Sequence, residues 1–292
     1  MFSTLKRIGL KASVYKFFAR LFPDDKNVLG ACARIGAYRY LQKYRYVLEQ
    51  QETTDRPAEV KPNRIWLCWL QGYEQAPLVV QKCRDSVVEH HPDMEVTIVD
   101  HTNVNQFVTL PDYIHQKHAS GIIPNAHYAD VIRVCLLEKY GGTWIDATVY
   151  MTDRLPDYIV NSDLFCYKMM PLGYCTASNW FISATPNNPI IRQTKALLLE
   201  YWRKENKLVS YSIFHLFWTM VVTFNDANKA LWHDVPYFDD ANCKILRWEL
   251  FDPFSQERFD QIKRITPIHK LTYKSDKQNT LLDNTFYKYL LQ

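Results

Sequence analysis

The sequence contains little glycine, with eight glycines among 292 residues, and none of them forms GxGxxG or GxxxxGK[ST]. Those two patterns bring backbone N–H groups against the phosphates of a bound nucleotide. Their absence excludes a dinucleotide site of the Rossmann type and a phosphate-binding P-loop. Any nucleotide that this chain binds must therefore be held in another way.

Paired cysteines and long apolar runs are also missing. The seven cysteines are scattered, and no two have CxxC spacing, which argues against a disulfide framework or a zinc site and favours a reducing cytoplasm. The longest nearly continuous apolar run, 214–224, has eleven residues, whereas a membrane-spanning helix needs about 20. Residues 1–22 interleave apolar residues with lysine and arginine and do not resemble a secretory signal. We therefore expect a cytoplasmic protein.

What the sequence does contain indicates a folded body with a basic arm. Hydrophobic residues make up 47% of the chain and aromatic residues 14%, too many for a disordered protein. The net charge of +4 is unevenly distributed, because residues 1–46 hold ten lysines and arginines against two aspartates. This asymmetry favours a basic helical arm over residues 1–52 and a near-neutral body over residues 61–292.

Two interpretations of the arm stay open. Apolar residues recur at three- and four-residue steps over 3–22, which predicts a basic amphipathic helix, and a second helix is predicted over 28–51. Residues 1–46 could bind an anionic membrane surface, where each lysine or arginine contributes about 1 kcal/mol. Alternatively, the two helices form a hairpin packed on the body. No nucleic-acid partner is expected, because no basic-aromatic recognition module accompanies the charge.

The pattern of the body predicts an α/β fold with a largely parallel sheet. A buried strand is predicted at 64–70, a helix at 77–90, a short β-branched strand at 95–99 and a helix at 111–120. Alternation of strands and helices is typical of parallel sheets covered by helices.

The segment 124–150 carries the candidate chemistry. A helix is predicted up to Gly141, and Asp130 and Arg133 are neighbours on one face of it because they are three residues apart. Gly141-Gly142 then turns the chain into a strand that ends at Asp146, and ligands of open α/β sheets gather beyond the carboxyl ends of strands. Taken singly, these residues could also be a surface ion pair and a turn-forming aspartate. Together they indicate a site.

Two patterns in this segment resemble a known family. Ala-x-x-x-Asp-x-x-Arg followed by Leu-x-x-Tyr-Gly-Gly-x-Trp-x-Asp-x-Thr is similar to the sugar-transferase segment of glycosyltransferase family 32, and more closely to its capsular polysaccharide synthesis branch. Further similarities occur in the family's order, at 62–69, 177–184, 211–215 and 268–274. The resemblance covers roughly 61–275. It implies a GT-A type fold over 61–292, with a mixed, mainly parallel sheet flanked by helices, and sugar transfer from a nucleotide donor with retention at the anomeric carbon.

The resemblance also implies roles for individual residues. Trp69 would stack on the nucleobase, and Asp130 and Arg133 would hold hydroxyls of the donor sugar. Asn179 would lie beside that sugar. Asp146 would begin the Asp-x-Asp element that meets the ribose, a metal ion and the diphosphate.

The chain departs from the Asp-x-Asp pattern at its second acid, which is Thr148. Mg²⁺ and Mn²⁺ prefer carboxylate oxygens, so a metal site based on Asp146 and a neutral hydroxyl would be weak. Either such a metal remains, held by Asp146, phosphates and water, or cationic side chains offset the diphosphate charge. His269, Lys270 and Lys274 are the candidates for that second role.

The leading hypothesis is a peripheral enzyme of the inner face of the plasma membrane. It would move a sugar from a nucleotide donor, expected to be a UDP-sugar, to a lipid-linked polysaccharide repeat unit. The alternative, motivated by Thr148, is a degenerate GT-A module that binds a nucleotide sugar or a partner without transfer. A glycoside hydrolase needs two acids about 5.5 Å or 6.5–9.5 Å apart, and nothing in the motif suggests one. His215 lies in an apolar helix and is expected to be a core histidine rather than a catalytic one.

Overall fold

The computed structural model describes residues 13–15, 18, 26–50, 60–169, 174–274 and 278–292. The helix predicted over 3–22 therefore lies largely outside the described residues. The helix predicted over 28–51 is observed as α1 (Lys26–Leu41), a 3₁₀ turn (Gln42–Tyr44) and α2 (Tyr46–Glu49).

A five-stranded sheet forms the centre of the body. The strands of the chain are β1 (Arg64–Cys68), β2 (Glu95–Val99), β3 (Gly142–Ile145), β4 (Val149–Met151), β5 (Leu164–Lys168), β6 (Ala177–Ala184) and β7 (Ile268–Lys270). The sheet order is β2-β1-β3-β6-β5, and β4 pairs with β7 in a separate two-stranded ribbon. Strand β1 is parallel to β2 and β3, whereas β6 is antiparallel to β3 and β5. Four strands thus share one direction, which confirms the predicted mixed, mainly parallel sheet.

Helices cover both faces of the sheet. They are α3 (Leu78–His90), α4 (Val104–Phe107), α5 (Asp112–Ala119), α6 (Asn125–Tyr140), α7 (Asp157–Val160), α8 (Pro189–Lys204), α9 (Ile213–Val222), α10 (Asp226–Asp234), α11 (Ile245–Trp248), α12 (Gln256–Ile265) and α13 (Phe286–Leu290), with 3₁₀ turns at Tyr73–Gln75, Asn242–Lys244 and Asn279–Leu281. No helix in the described ranges is both long enough and apolar enough to cross a bilayer. The predicted helices at 77–90 and 111–120 correspond to α3 and α5.

Side chains that alternate along the strands divide the core in two. In β1, Trp66 belongs to one buried cluster, with residues of α6, α8 and α9, whereas Ile65 and Leu67 belong to the other, with residues of α3 and α12. Successive residues of a strand point to opposite faces, so a strand buried on both faces reads as a continuous apolar run. This is why residues 64–68 have no polar face except at their first position.

The second half of the predicted arm contributes to the core of the body. Leu41 and Leu48 are buried in the same cluster as α8 and α9. The carboxylate of Glu205, at the end of α8, accepts hydrogen bonds from the Tyr44 hydroxyl at 2.9 Å and from Lys43 Nζ at 2.7 Å. This part of the arm is therefore packed, as the hairpin interpretation expects, while membrane binding by residues 1–46 stays a prediction.

The turn between α6 and β3 depends on its two glycines. Gly141 and Gly142 have φ angles of +67° and +94°, in the region that L-residues with a side chain rarely adopt. A Cβ atom on Gly142 would lie 2.7 Å from the carbonyl oxygen of Arg64 in β1. The turn therefore allows β3 to begin in close contact with β1, and it fixes where Asp146 emerges at the other end of β3.

We expect Gly142→Ala to destabilise the protein more than Gly121→Ala. Gly121 has a φ angle of +73°, but a Cβ atom there would meet nothing within 4 Å. Both substitutions place alanine in a left-handed conformation, which costs about 1–2 kcal/mol, and only Gly142→Ala adds a backbone clash, worth about another 1–3 kcal/mol. Urea unfolding of both variants measures the difference, and equal losses would show that the approach of β3 to β1 is not constrained.

Candidate active site

A pocket of about 270 Å³ lies beyond the carboxyl ends of β1 and β3. Because α6 turns back at Gly141 into β3, the first half of α6 lies beside the end of β3. Because β6 runs antiparallel to β3, its first residues reach the same edge, where the Asp146 N–H donates to the Trp180 carbonyl at 2.9 Å. Residues far apart in the chain thus meet at one edge of the sheet.

The arginine of α6 connects the two candidate acids. Arg133 Nη1 donates to Asp130 Oδ1 and Arg133 Nη2 donates to Asp146 Oδ1, both at 2.8 Å. Asn179 Nδ2 also donates to Asp130 Oδ1 at 2.9 Å, and Trp144 Nε1 donates to Asp146 Oδ1 at 3.0 Å. The structure therefore brings together Asp130, Arg133, Asp146 and Asn179, which the sequence had singled out.

Burial distinguishes this arrangement from a surface ion pair. Asp130 is 5% exposed and Arg133 is 4% exposed. The guanidinium carbon of Arg133 lies 4.7 Å from the centroid of the Trp144 ring and 5.7 Å from that of Phe214. Removal of one partner of a buried ion pair leaves an uncompensated charge and costs about 3–5 kcal/mol. The pairing of Asp130 with Arg133 is consequently costly to break.

Lys270 reaches the same carboxylate from the far end of the chain. Strand β7 is antiparallel to β4, with Lys270 opposite Val149. Its Nζ donates to Asp146 Oδ2 and to Thr148 Oγ1, both at 2.8 Å. Burial alone would raise the pKa of Asp146, but the Lys270 ammonium and the Arg133 guanidinium outweigh it, so the pKa lies below its ordinary value. Asp146 is therefore ionised at neutral pH.

The other two candidate cations differ from Lys270. His269 follows the alternation of β7 and points away from the pocket, where its fully buried ring contacts Thr152 Oγ1 through Nε2 at 3.0 Å. Burial lowers the pKa of His269 to about 3, so the ring is neutral. The expectation that His269 supplies positive charge is wrong. Lys274 lines the pocket and is exposed to solvent.

Aromatic side chains surround the mouth of the pocket. Tyr211 and Tyr273 line it and are 71% and 41% exposed. Trp69, one residue beyond β1, is half-buried and contacts Tyr273 edge-to-face, with ring centroids 5.3 Å apart. Exposed aromatic faces of this kind are suited to stacking on a base or a sugar ring.

Three further residues lie at the site although the sequence did not predict them there. Trp144 lies two residues before Asp146, on the same face of β3, which is the signal that could have identified it. His127 lies three residues before Asp130 on α6, buried, with Nδ1 3.5 Å from Asp130 Oδ2. His215, expected in the core, lines the pocket, and burial lowers its pKa to about 4.

The side chains of the pocket do not fit a divalent metal ion. No group of three His, Cys, Asp or Glu side chains that could hold a metal occurs among the residues that the structure describes. Asp146 directs one oxygen to Arg133 and the other to Lys270, and the Thr148 hydroxyl also contacts Lys270. The oxygens that the Asp-x-Asp pattern would offer to a metal are already engaged by cationic side chains.

Comparison with known proteins gives a family match over most of the chain. Residues 35–290 match the profile of a family described as capsular polysaccharide synthesis protein. An O-glycosyltransferase from Annulohypoxylon truncatum is 28% identical over 157 residues, which cover 47% of this chain and 37% of that protein. An uncharacterized glycosyltransferase from Acanthamoeba polyphaga mimivirus is 24% identical over 132 residues, which cover 44% of this chain and 52% of that protein. The chain thus spans about half the length, or less, of these relatives.

One solved structure, the PaToxG glycosyltransferase, aligns with 82% of this chain and 95% of its own length. Its sequence identity is 17% and its TM-score is 0.37, which is too low to establish a shared fold.

We expect the stabilising effect of Asp146 to disappear in acid. A carboxyl group whose pKa is depressed by folding stabilises the protein above its unfolded pKa, about 3.9, and loses that effect as the pH falls through the folded pKa. The difference in free energy of unfolding between the wild type and Asp146→Asn should therefore be constant near neutral pH and shrink below about pH 4. Chemical denaturation at several pH values measures it, and a difference that does not change with pH would contradict the ion-pair assignment.

Proposed function

The chain belongs to the capsular polysaccharide synthesis family, and on that premise we propose that its pocket transfers a sugar from a nucleotide donor to a saccharide acceptor. The observation that supports this proposal is the buried link from Asp130 through Arg133 to Asp146 at the carboxyl edge of the sheet. Ligands of open α/β sheets bind at this edge.

In the proposed complex, Asp130 receives hydroxyl groups of the donor sugar. Its Oδ1 accepts two hydrogen bonds from Arg133 and Asn179, which fix the orientation of the carboxylate. An ionised carboxylate has about four acceptor positions, so capacity remains for sugar hydroxyls. Trp69 stacks on the nucleobase, and Asp146 lies next to the ribose and diphosphate.

The proposed transfer exchanges one bond at the anomeric carbon for another. The bond to the diphosphate oxygen breaks and its electron pair stays on the nucleoside diphosphate, while the acceptor hydroxyl oxygen bonds to the same carbon. The hydroxyl proton passes to the departing phosphate oxygen. Following the resemblance described above, we propose retention of configuration, a UDP-sugar as donor and a lipid-linked polysaccharide repeat unit as acceptor. NMR of the product tests the configuration directly.

We expect Asp130→Asn and Asp146→Asn each to lower kcat/KM at least about 100-fold, equivalent to about 2.7 kcal/mol of transition-state stabilisation. Each substitution removes one charge from the pocket while side-chain volume is kept. The matched control is Asp93→Asn, because Asp93 lies just before β2, at the opposite edge of the sheet. Transfer and donor hydrolysis are measured with a panel of nucleotide sugars.

The outcomes distinguish transfer from simple binding. Near-normal turnover in both pocket variants would contradict the site assignment. Binding of a nucleotide sugar by the wild type without transfer or hydrolysis would instead favour the module that binds without catalysis.

We also propose that the basic N-terminal segment holds the enzyme at the cytoplasmic face of the membrane, near a lipid-linked acceptor. Residues 1–20 contain five lysines and arginines and no acidic residue. Deletion of residues 1–46 would not test this cleanly, because Leu41 and Tyr44 are part of the core. Reversal of the charges at residues 6–20 leaves Leu41 and Tyr44 unchanged.

We expect Lys6→Glu, Lys11→Glu, Lys16→Glu and Arg20→Glu together to abolish binding to vesicles rich in phosphatidylglycerol. Each lysine or arginine near an anionic surface contributes about 1 kcal/mol, so reversal of four charges removes most of the attraction. Co-sedimentation with these vesicles is the measurement, and vesicles of phosphatidylcholine alone are the control. Unchanged binding to anionic vesicles would show that this segment does not bind the membrane.

A further inference from the structure

The Lys270 ammonium occupies the position between the first and third residues of the Asp-x-Thr element. Its Nζ is 2.8 Å from Asp146 Oδ2 and 2.8 Å from Thr148 Oγ1. In an Asp-x-Asp element these two residues would both be acids that face a metal ion. Here one acid and one hydroxyl face a lysine instead.

The charges of the ion-paired side chains in the pocket balance without a metal ion, and Lys274 adds a further cation to the lining. Asp130 and Asp146 supply two negative charges, and Arg133 and Lys270, each in direct contact with Asp146, supply two positive ones. A divalent ion at Asp146 would lie beside two cations, and Mg²⁺ would also require oxygen ligands at about 2.0–2.1 Å in octahedral geometry. The second carboxylate that would offset its charge is replaced by Thr148.

The backbone holds Lys270 in this position before any ligand binds. Pairing of β7 with β4 places Lys270 opposite Val149, and the N–H of Leu271 donates to the Thr148 carbonyl at 2.8 Å. The Lys270 side chain is 15% exposed, with Nζ 5.8 Å from the centroid of the Trp180 ring. A side chain that is already ordered loses little entropy on binding, which increases its contribution to affinity.

We propose that Lys270 takes the place of the divalent metal and contacts the diphosphate of the donor. An ammonium group has three N–H donors, and Lys270 uses two of them for Asp146 and Thr148, which leaves a third for a phosphate oxygen. Its charge stabilises the negative charge that develops on the departing nucleoside diphosphate. The inference rests on the proposed function, since it assigns one residue of that same pocket to the leaving group.

The test measures nucleoside diphosphate binding, which does not depend on knowing the acceptor. UDP, GDP, CDP and ADP are titrated calorimetrically into the full chain, in excess EDTA and again with Mn²⁺. We expect one of them to bind equally well under both conditions. We expect Lys270→Gln, which keeps hydrogen-bond donors but removes the charge, to weaken its binding about 10- to 100-fold, because hydrogen bonds in which the donor is charged are stronger than neutral ones.

Two further variants make the test specific. Lys270→Arg keeps the charge and should bind more tightly than Lys270→Gln. Lys263→Ala removes a lysine of α12 that pairs with Asp260 outside the pocket, and it should bind like the wild type. The double variant Thr148→Asp with Lys270→Ala restores an acid pair, and its binding should require Mn²⁺. Circular dichroism and thermal melting confirm that each variant is folded.

The outcomes separate the inference from the function on which it rests. Binding by the wild type that EDTA abolishes and Mn²⁺ restores would overturn the role of Lys270 and leave the proposed function intact. Equal affinity of Lys270→Gln and the wild type would overturn it as well. Failure of every nucleoside diphosphate to bind would count against the proposed function, and the assignment of Lys270 would fall with it.

Discussion

The pocket depends on the Asp146 carboxylate, because this one group joins three separate parts of the chain. Through Oδ1 it accepts from Arg133 of α6 and from Trp144 of β3, and through Oδ2 from Lys270 of β7. Each of these contacts is compatible with the others only if the end of β3 lies where it does. The hydrogen bonds at Asp146 therefore depend on the relative positions of α6, the central sheet and the β4–β7 ribbon.

Two backbone features bring the residues around that carboxylate together. The positive φ angles of Gly141 and Gly142 return the chain from α6 directly into β3, with no room for a side chain against β1. The reversal of β6 relative to its neighbours then brings Asn179 to the same edge. A sheet with every strand parallel would place the start of β6 at the opposite edge, away from Asp130.

The sequence was sufficient for the local part of this site and insufficient for the distant part. The helix, the glycine pair and the strand before Asp146 are adjacent in the chain, so spacing predicted that Asp130 and Arg133 share one helix face and that Asp146 ends the next strand. Lys270 was identified as a candidate only through the family resemblance. The strands that bring it to Asp146, β4 and β7, have three residues each and leave almost no periodic signal in the sequence. The role of His269 was predicted wrongly because the register between β7 and β4 decides which side chains of β7 face the pocket. The basic residues near Leu41 in the sequence favoured a solvent-exposed arm, although the Leu41 side chain is buried in the core.

The ribbon that carries Lys270 has a consequence for the order in which the protein is made. Asp146 and Lys270 are separated by 124 residues, a stretch that a ribosome synthesises in about 6–25 s. All five strands of the central sheet are complete before β7 emerges. A nascent chain can thus build its sheet and the pairing of Arg133 with the two aspartates while Asp146 Oδ2 still lacks its lysine.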